Sequence, residues 1–320
     1  MKKTVFFLLV FFSYSLHAQM VPSFLGVYDK KPDPDATGTV TFTNCGASEE
    51  SGPSQSDCNT SYSGTSLEGD VTLSSGIQSW TVPYTATYTI TAIGATAGNE
   101  GATAAVQVGY PAKIIGDFNL TKGDVLKILV GQHGWKASCR PGWGAGGGTF
   151  VTENDNTILV IAGGCGSGHL GNANTYDWQN ASTGESGVAE SGRTHSAGSN
   201  GNGGGGTSEG GGGAGYSGNG TTGNSVTYQL CTGVATSHST PQAFLNGGVG
   251  DQIGGGFGGG AGVTNTWGGG GGGYSGGAGA NASPYFGGGG GSKNNGSNQT
   301  NTLHDNDRNT ETDGSVIIAW

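Results

Sequence analysis

Three glycine-rich motifs in the sequence have the spacing of nucleotide-binding or catalytic sites. GSGHLG at 166–171 matches a dinucleotide-binding loop, and GTSEG at 206–210 and GYSGG at 273–277 match a nucleophilic serine turn. The first chemistry needs a helix that opens at the glycines, where its amide groups meet a pyrophosphate. The second needs a strand before the serine, a helix after it, and His and Asp within reach. None of the motifs has that sequence context, so we predict neither an enzyme nor a cofactor.

The other residues that could act in catalysis or bind a metal are histidines and acidic side chains. HExxH and paired CxxC motifs are missing from the sequence, which leaves a zinc site unsupported. Five of the six histidines lie in polar stretches, and we expect them to be solvated; they are His133, His169, His195, His238 and His304.

An alternating acidic stretch, DNDRNTETD at 305–313, is a weak candidate for a Ca²⁺ site through Asp305, Asp307 and Asp313. It lacks the glycine at the sixth position and the acidic residue at the twelfth that an EF-hand loop uses. A solvated acidic loop over 301–313 is therefore the favoured interpretation, and no metal is predicted.

The overall composition restricts the partners of the chain. It has 320 residues with a formal net charge of −10, and most of its 69 glycines fall between 201 and 300. Nucleic-acid affinity comes mainly from cationic side chains that neutralise phosphates, so an acidic chain poor in Lys and Arg is not expected to bind nucleic acid. A basic partner suits this surface better.

The first residues, MKKTVFFLLVFFSYSLHA, have two lysines followed by an apolar run and a small residue. This layout predicts a secretory signal peptide over 1–18, followed by an N-terminal extension over 19–36. No later segment has the roughly 20 apolar residues of a membrane helix, so we predict a secreted protein with no transmembrane segment in the mature chain.

Export permits disulfides and, in a glycosylating host, glycans. Cys45 and Cys58 bracket a short loop of turn-forming residues, and a bridge between them is the expected disulfide. Three further cysteines, Cys139, Cys165 and Cys231, leave an odd count. The Asn-x-Ser/Thr sites are Asn59, Asn119, Asn180, Asn219, Asn281, Asn295 and Asn298.

Residues 37–163 predict an all-β unit. Short segments rich in β-branched and aromatic residues alternate with turn formers, and residues 87–92 alternate threonine with apolar residues. The predicted strands are 37–43, 77–82, 86–95, 104–109, 113–120, 124–131, 148–152 and 157–163. Many short strands at this spacing favour an antiparallel sandwich or jelly roll. The final segment, 314–320, returns to strand character and is expected to close the first sheet, which makes 164–300 an insertion.

The glycine runs of this insertion allow two interpretations. One is a flexible linker. The other is a bundle of packed glycine helices with three residues per turn, which bond laterally because no Cβ holds them apart. Aromatic residues that interrupt the runs favour packing, with the rings capping the bundle; they are Tyr216, Phe257, Trp267, Tyr274, Tyr285 and Phe286.

Five segments together resemble the extracellular glycine-rich region of the anaplastic lymphoma kinase and leukocyte tyrosine kinase receptor family. They are VTFTNCGASEESGPSQSDCN (40–59), GIQSWTVPYTATYTITAIGATAG (76–98), GDFNLTKGDVLKILVGQHG (116–134), GGGTFV with TILVIAGG (146–164) and GGGFGGGAGVTNTWGGGGGGYSGG (254–277). The resemblance implies a tumour-necrosis-factor-like β sandwich that carries an inserted subdomain of polyglycine-II-type helices. It also implies binding of a small basic cytokine-like protein and ligand-induced dimerisation.

The chain departs from the family pattern in several places. It lacks kinase motifs, and it has HGWKASCRPGW (133–143) where the family's receptors carry a helical insertion. The cysteine expected near 264–266 is also missing, so Cys231 bridges Cys139 or Cys165, or stays free. The resulting hypothesis is an extracellular ligand-binding module with unknown contact residues; the alternative is a secreted structural or adhesive glycine-rich matrix protein.

Overall fold

A computed structural model of the chain shows an all-β architecture of two antiparallel sheets with little helix. The structure describes residues 37–99, 108–135, 142–168, 176–190, 195–207, 210–223, 238–263, 267–280, 286–305 and 307–320. The predicted signal peptide and N-terminal extension lie outside the described residues. The described residues belong to one compact unit that spans Pro32–Trp320.

The first sheet has five strands in the order β1-β11-β4-β5-β10. Its strands are β1 (Thr39–Phe42), β4 (Ala86–Ile93), β5 (Ala112–Leu120), β10 (Ser297–Leu303) and β11 (Ser315–Ala319). The C-terminal strand β11 lies between β1 and β4, with Ile318 opposite Val40 on one side and Ile90 on the other. The prediction that 314–320 rejoins the first sheet is therefore confirmed.

The second sheet has six strands in the order β2-β3-β6-β7-β8-β9. Its strands are β2 (Val71–Ser74), β3 (Ile77–Thr81), β6 (Val125–Leu129), β7 (Thr149–Glu153), β8 (Ile158–Ala162) and β9 (Lys293–Asn294). The turn between β2 and β3 is Ser75-Gly76, and both residues have positive φ angles, 50° and 78°. Two central residues with φ above zero make the tight hairpin turn that matches the twist of the paired strands.

The two sheets share one hydrophobic core because their strands alternate in side-chain direction. In β4, Tyr88, Ile90 and Ala92 are buried, as the period of two predicts, and the threonines between them face outward. Trp80 of the second sheet packs edge-on against Phe42 and Tyr88 of the first. This core joins the sheets along their length.

Several elements differ from the predicted ones. A helix, α1 (Gln55–Ser61), begins after Ser54, which forms a capping box with Asp57 in the first turn; Ser54 N–H donates to Asp57 Oδ2 at 2.8 Å. Polar sequence forms β9 and β10 within 293–303, where the prediction had glycine-rich chain and an acidic loop. Strand β2 was also missed. Of the predicted strand 104–109 only 108–109 are described, and they are not in a strand.

A second hydrophobic cluster lies on the outer face of the second sheet. Leu129 and Phe150 of that face pack with Phe244 and Phe257 from the glycine-rich part of the chain, and Tyr216 and Tyr274 pack against this cluster. The ring of Phe244 stacks on those of Phe150 and Tyr216, with centroids 5.0 and 5.7 Å apart. These aromatic residues therefore fix the glycine-rich region to the sheet.

The glycine-rich region is held by backbone hydrogen bonds with a period of three residues. Gly270, Gly271 and Gly272 donate their N–H groups to three separate segments, at the carbonyls of Gly211 (2.9 Å), Gly288 (2.9 Å) and Gly146 (3.0 Å). The N–H of the next residue, Gly273, donates to Ala214 O, which lies in the same segment as Gly211. The carbonyls from 268 to 272 accept from three further segments, through Ala280, Ser167, Ala261, Gly277 and Gly164. The segment 268–273 therefore has six bonded neighbours.

Side chains are excluded from the interior of this array. A Cβ at Gly271 would lie 2.3 Å from the carbonyl oxygen of Gly164, and one at Gly272 would lie 2.0 Å from that of Gly258. Two of the six neighbouring segments, 144–148 and 163–167, directly adjoin strands β7 and β8. The array is thus built partly on continuations of the sheet strands, across the predicted boundary at 164.

Candidate functional site

A disulfide joins the loop after β1 to helix α1. Cys45 and Cys58 are bonded to each other, and both side chains are buried in the main core. The expected bridge is confirmed.

Removing this bridge by the double substitution Cys45→Ser and Cys58→Ser is expected to lower the free energy of unfolding by about 3 kcal/mol. The reason is that the closed loop restricts the unfolded chain. Urea unfolding of both proteins measures the loss. A reducing agent should weaken the native protein by a similar amount and leave the double variant unchanged; equal stability of the two proteins would contradict the prediction.

The other described cysteine, Cys165, is a free thiol within the glycine array. Its N–H donates to Ala95 O at 2.9 Å and its carbonyl accepts from Gly146 N at 3.0 Å. Burial raises the pKa of this thiol, which keeps it protonated. A bridge from Cys231 to Cys165 is therefore wrong, while Cys139 and Cys231 lie outside the described residues.

The catalytic motifs occupy structural positions. Ser275 of GYSGG is fully buried, and its hydroxyl accepts from Gly201 N at 3.2 Å. Ser167 of GSGHLG is also buried, and its hydroxyl accepts from Gly269 N at 2.7 Å. Both hydroxyls therefore satisfy backbone groups of the array. Residues 169–171 and 208–209 of these motifs are outside the described part.

Two histidines predicted to be solvated instead pair with aspartates. His238 and Asp251 have side chains that are only 2% and 0% exposed, and Nδ1 lies 2.7 Å from Oδ2. His133 Nδ1 lies 2.7 Å from Asp313 Oδ1, which also accepts from the His133 N–H at 3.0 Å. The solvated interpretation is wrong for both, because an aspartate from another part of the chain lies within hydrogen-bond distance of Nδ1 in each ring.

Asp251 organises the start of the glycine array. Its Oδ1 accepts from the N–H groups of Ser239 (3.3 Å) and Ile253 (3.0 Å), and its carbonyl accepts from Gly255 N at 2.8 Å. Its own N–H donates to Gly260 O at 3.0 Å. The buried pair thus secures the turn from which residues 255–261 enter the array.

The predicted acidic loop is bonded rather than freely solvated. Asp313 Oδ2 accepts from Asn44 Nδ2 at 2.6 Å, and the carbonyl of Thr312 accepts from Thr96 N at 3.0 Å. Asp307 Oδ1 accepts from Asn309 N at 3.0 Å, and this hydrogen bond is the main cause that lowers the pKa of Asp307. Within the described residues no three His, Cys, Asp or Glu side chains are grouped to hold a metal ion, so Asp305, Asp307 and Asp313 do not form a common site.

Calcium is accordingly expected to leave the melting midpoint of the protein unchanged. Asp313 already uses both oxygens on protein donors, and exchanging them for a cation would break those bonds. A thermal melt with and without millimolar CaCl₂ checks this, with MgCl₂ at equal ionic strength as control. A midpoint that rises only with Ca²⁺ would contradict the prediction.

The predicted glycosylation sites fall into two groups. Asn180 is buried, and its Oδ1 accepts from Tyr110 N at 2.8 Å, so this amide is not available to a glycosylating enzyme. The exposed sites are Asn59, Asn119, Asn219, Asn295 and Asn298, and Asn281 is outside the described part. Glycosylation at the exposed sites stays a prediction.

Two pockets flank the Ser75-Gly76 turn. The first, with a volume of about 280 Å³, is lined by Ser74, Ser75, Ile77, Ser79, Lys127 and Leu245, among others. The second, of about 380 Å³, includes Gly52, Pro53, Gln55, Leu73 and Val249. Both join the second sheet to the glycine-rich region, and sequence reasoning missed them because their residues come from distant segments.

Among known proteins, a relative is 39% identical to this chain over 110 residues. It is the leukocyte tyrosine kinase receptor of Mus musculus. The match covers 33% of this chain and only 12% of the length of the leukocyte tyrosine kinase receptor. No protein-family profile matches the chain. Relationship to this receptor is therefore supported for a third of the chain, in agreement with the resemblance drawn from the sequence.

Among the described residues, no helix has both the length and the apolar character needed to cross a bilayer.

Proposed function

We propose that this protein is an extracellular ligand-binding module of the kind found in the leukocyte tyrosine kinase receptor, without catalytic activity in this chain. The similarity to that receptor carries the proposal. The buried Cys45–Cys58 disulfide supports an oxidising compartment, where such bonds persist. The predicted signal peptide would direct the chain there.

The proposed architecture is a tumour-necrosis-factor-like β sandwich with polyglycine-II-type packing. The core shared by the two sheets supports the first part. The three-residue period of the hydrogen bonds around 268–273 supports the second, because a helix with three residues per turn presents successive N–H groups in three directions. Such a scaffold would hold loops and pockets in fixed positions, which favours recognition because little ordering is needed on binding.

Hydrogen exchange tests this architecture. Amides within 268–273 and 286–291 are expected to exchange as slowly as those of the buried strands β4 and β11, because opening one segment breaks bonds to several others. Residues of the exposed β10 provide a faster-exchanging reference. Exchange of the glycine amides at the rate of free chain would refute the packed array.

The proposed ligand is a small basic protein of the cytokine type, with dimerisation of the module on binding. The net charge of −10 supports electrostatic attraction of such a partner. Titration with a recombinant basic helical cytokine of the kind that the resemblance implies, at several salt concentrations, tests it. Saturable binding that weakens with salt, together with a rise in mass by light scattering, would support the proposal.

The second candidate is a structural or adhesive matrix protein, favoured by the rigid glycine array itself. Sedimentation of the protein without ligand separates the two functions. Concentration-dependent self-association with no cytokine binding would support the matrix role and overturn the receptor-type role.

A further inference from the structure

The outer face of the second sheet is only partly covered by the glycine-rich region. In β6, Lys127 and Leu129 project to this face, because Leu126 and Ile128 point into the main core. Leu129 is buried beneath the aromatic cluster, while Lys127 lies beyond its edge. The first pocket forms at this edge, where Leu245 from the glycine-rich region leaves 46% of its surface exposed.

Lys127 is held in a defined position within the pocket. Its Nζ donates to Asn156 Oδ1 at 3.0 Å, and Asn156 has a positive φ of 72° in the turn between β7 and β8. Tyr216 fixes that turn by donating its hydroxyl to Asn156 O at 2.5 Å. An ammonium group carries three donors, and the other two of Lys127 have no partner among the described residues.

The remaining lining combines hydroxyl groups with apolar surface. Ser74, Ser75 and Ser79 contribute hydroxyls for which the described part of the chain shows no hydrogen-bond partner. Ile77 and Leu245 contribute the apolar part of the lining. We propose that this pocket binds a carboxylate carried on a short branched apolar group, with Lys127 and the serine hydroxyls donating to the carboxylate and Ile77 and Leu245 contacting the apolar group.

One acidic side chain, Asp155, interacts electrostatically with Lys127. Asp155 lies near Lys127, but its Oδ1 accepts from Thr157 N at 2.8 Å. Hydrogen bonds from Thr157 are the main cause that lowers the pKa of Asp155, and Lys127 makes only a smaller contribution. The direct partner of Lys127 is thus a neutral amide, which leaves its positive charge for a ligand.

Titration of the ¹⁵N-labelled full-length mature protein with 4-methylpentanoate tests the pocket. Saturable shifts are expected for the backbone amides of Ser79, Lys127 and Asn156, and 4-methylpentanamide is expected to bind about tenfold more weakly or worse. This factor corresponds to the loss of one charge-assisted hydrogen bond. A peptide, acetyl-Gly-Gly-Leu with a free C-terminal carboxylate, carries the carboxylate and the branched apolar group on one residue of a polypeptide. The tighter of the two probes identifies whether a small acid or the C-terminus of a partner chain is the natural source.

Lys127→Gln removes the charge and leaves a shorter, neutral polar side chain, and it is expected to weaken binding of the acid about tenfold or more. Lys122→Gln is the matched control, because Lys122 is an exposed lysine in the turn after β5. An unchanged melting midpoint and amide spectrum away from the pocket verify folding of both variants, and Ser79→Ala provides a second test with the charge intact. Equal binding of acid and amide, equal binding by Lys127→Gln, or no saturable shifts with either probe would overturn the proposal.

Discussion

Substitution of Gly271 by alanine is expected to lower the free energy of unfolding by about 3 kcal/mol or more. The added Cβ would lie 2.3 Å from Gly164 O and 2.8 Å from Cys165 O. Both are backbone atoms of the segment 163–167, which is also bonded to Ala95 and Gln179, so this segment cannot withdraw without breaking further hydrogen bonds. Overpacking of a rigid interior costs about 1–3 kcal/mol. Because the backbone around Gly271 is fixed, we expect the loss of unfolding free energy to lie at the upper end of this range or above it. Urea unfolding followed by tryptophan fluorescence measures the change.

Gly184→Ala is the matched control for this effect. Gly184 belongs to the same glycine-rich part of the chain, but a Cβ there would meet only Ser182 Oγ, at 3.6 Å. The free energy of unfolding of the Gly184→Ala variant is expected to differ from that of the native protein by less than about 0.5 kcal/mol, or to be slightly higher, because alanine restricts the unfolded chain. If Gly271→Ala is as stable as Gly184→Ala, the segment around 268–273 is not packed.

Asp251→Ala is expected to be the second severe variant, with a loss of about 3–5 kcal/mol. The substitution leaves three donors without an acceptor: His238 Nδ1–H, Ser239 N–H and Ile253 N–H. Because both side chains of the pair are almost fully buried, water cannot replace the carboxylate. Breaking a buried pair by removing one partner commonly has a cost of this size. Thermal and urea unfolding at neutral pH measure it.

Asp155→Ala provides a close comparison. Asp155 also accepts from the N–H two residues further along the chain, but it lies on the surface. Its removal is expected to destabilise far less, since solvent can satisfy Thr157 N–H. A loss for Asp251→Ala no greater than for Asp155→Ala would show that the His238–Asp251 pair does not hold the turn in place.

The sheets were predictable where local pattern determines structure. The alternation of threonine with Tyr88, Ile90 and Ala92 placed β4 correctly, and the apolar segment at the C-terminus predicted β11. Strand β10 was missed because its residues, SNQTNTL, are polar and exposed on both faces. Only hydrogen bonding to β5 makes this segment a strand, and that pairing spans about half the chain.

The site residues were harder to predict because their environment depends on distant segments. His238 lies in a polar stretch, yet it is buried by its contact with Asp251 and the surrounding loop. In the sequence, nothing distinguishes Lys127 from the other residues of the predicted strands. Its place in a pocket depends on Leu245, which comes from a distant segment. The Cys45–Cys58 bridge was predictable since the two residues bracket a short loop. Composition and spacing therefore reveal local elements, while burial and pairing require the fold.

The bonding of segment 268–273 also has a consequence for the order in which the chain folds. Its donors reach Gly146 and Gly211, which the ribosome makes well before this segment, and Gly288, which it makes after this segment. Contacts of such high sequence separation slow folding, because a long loop must close before any bond is gained. The centre of the array remains incomplete until residues near 288 have been synthesised. During synthesis the sheets therefore exist for a time without the glycine-rich segments that pack against them. The yield of folded protein in a cell will depend on how well these exposed sheet surfaces are protected from other chains during that interval.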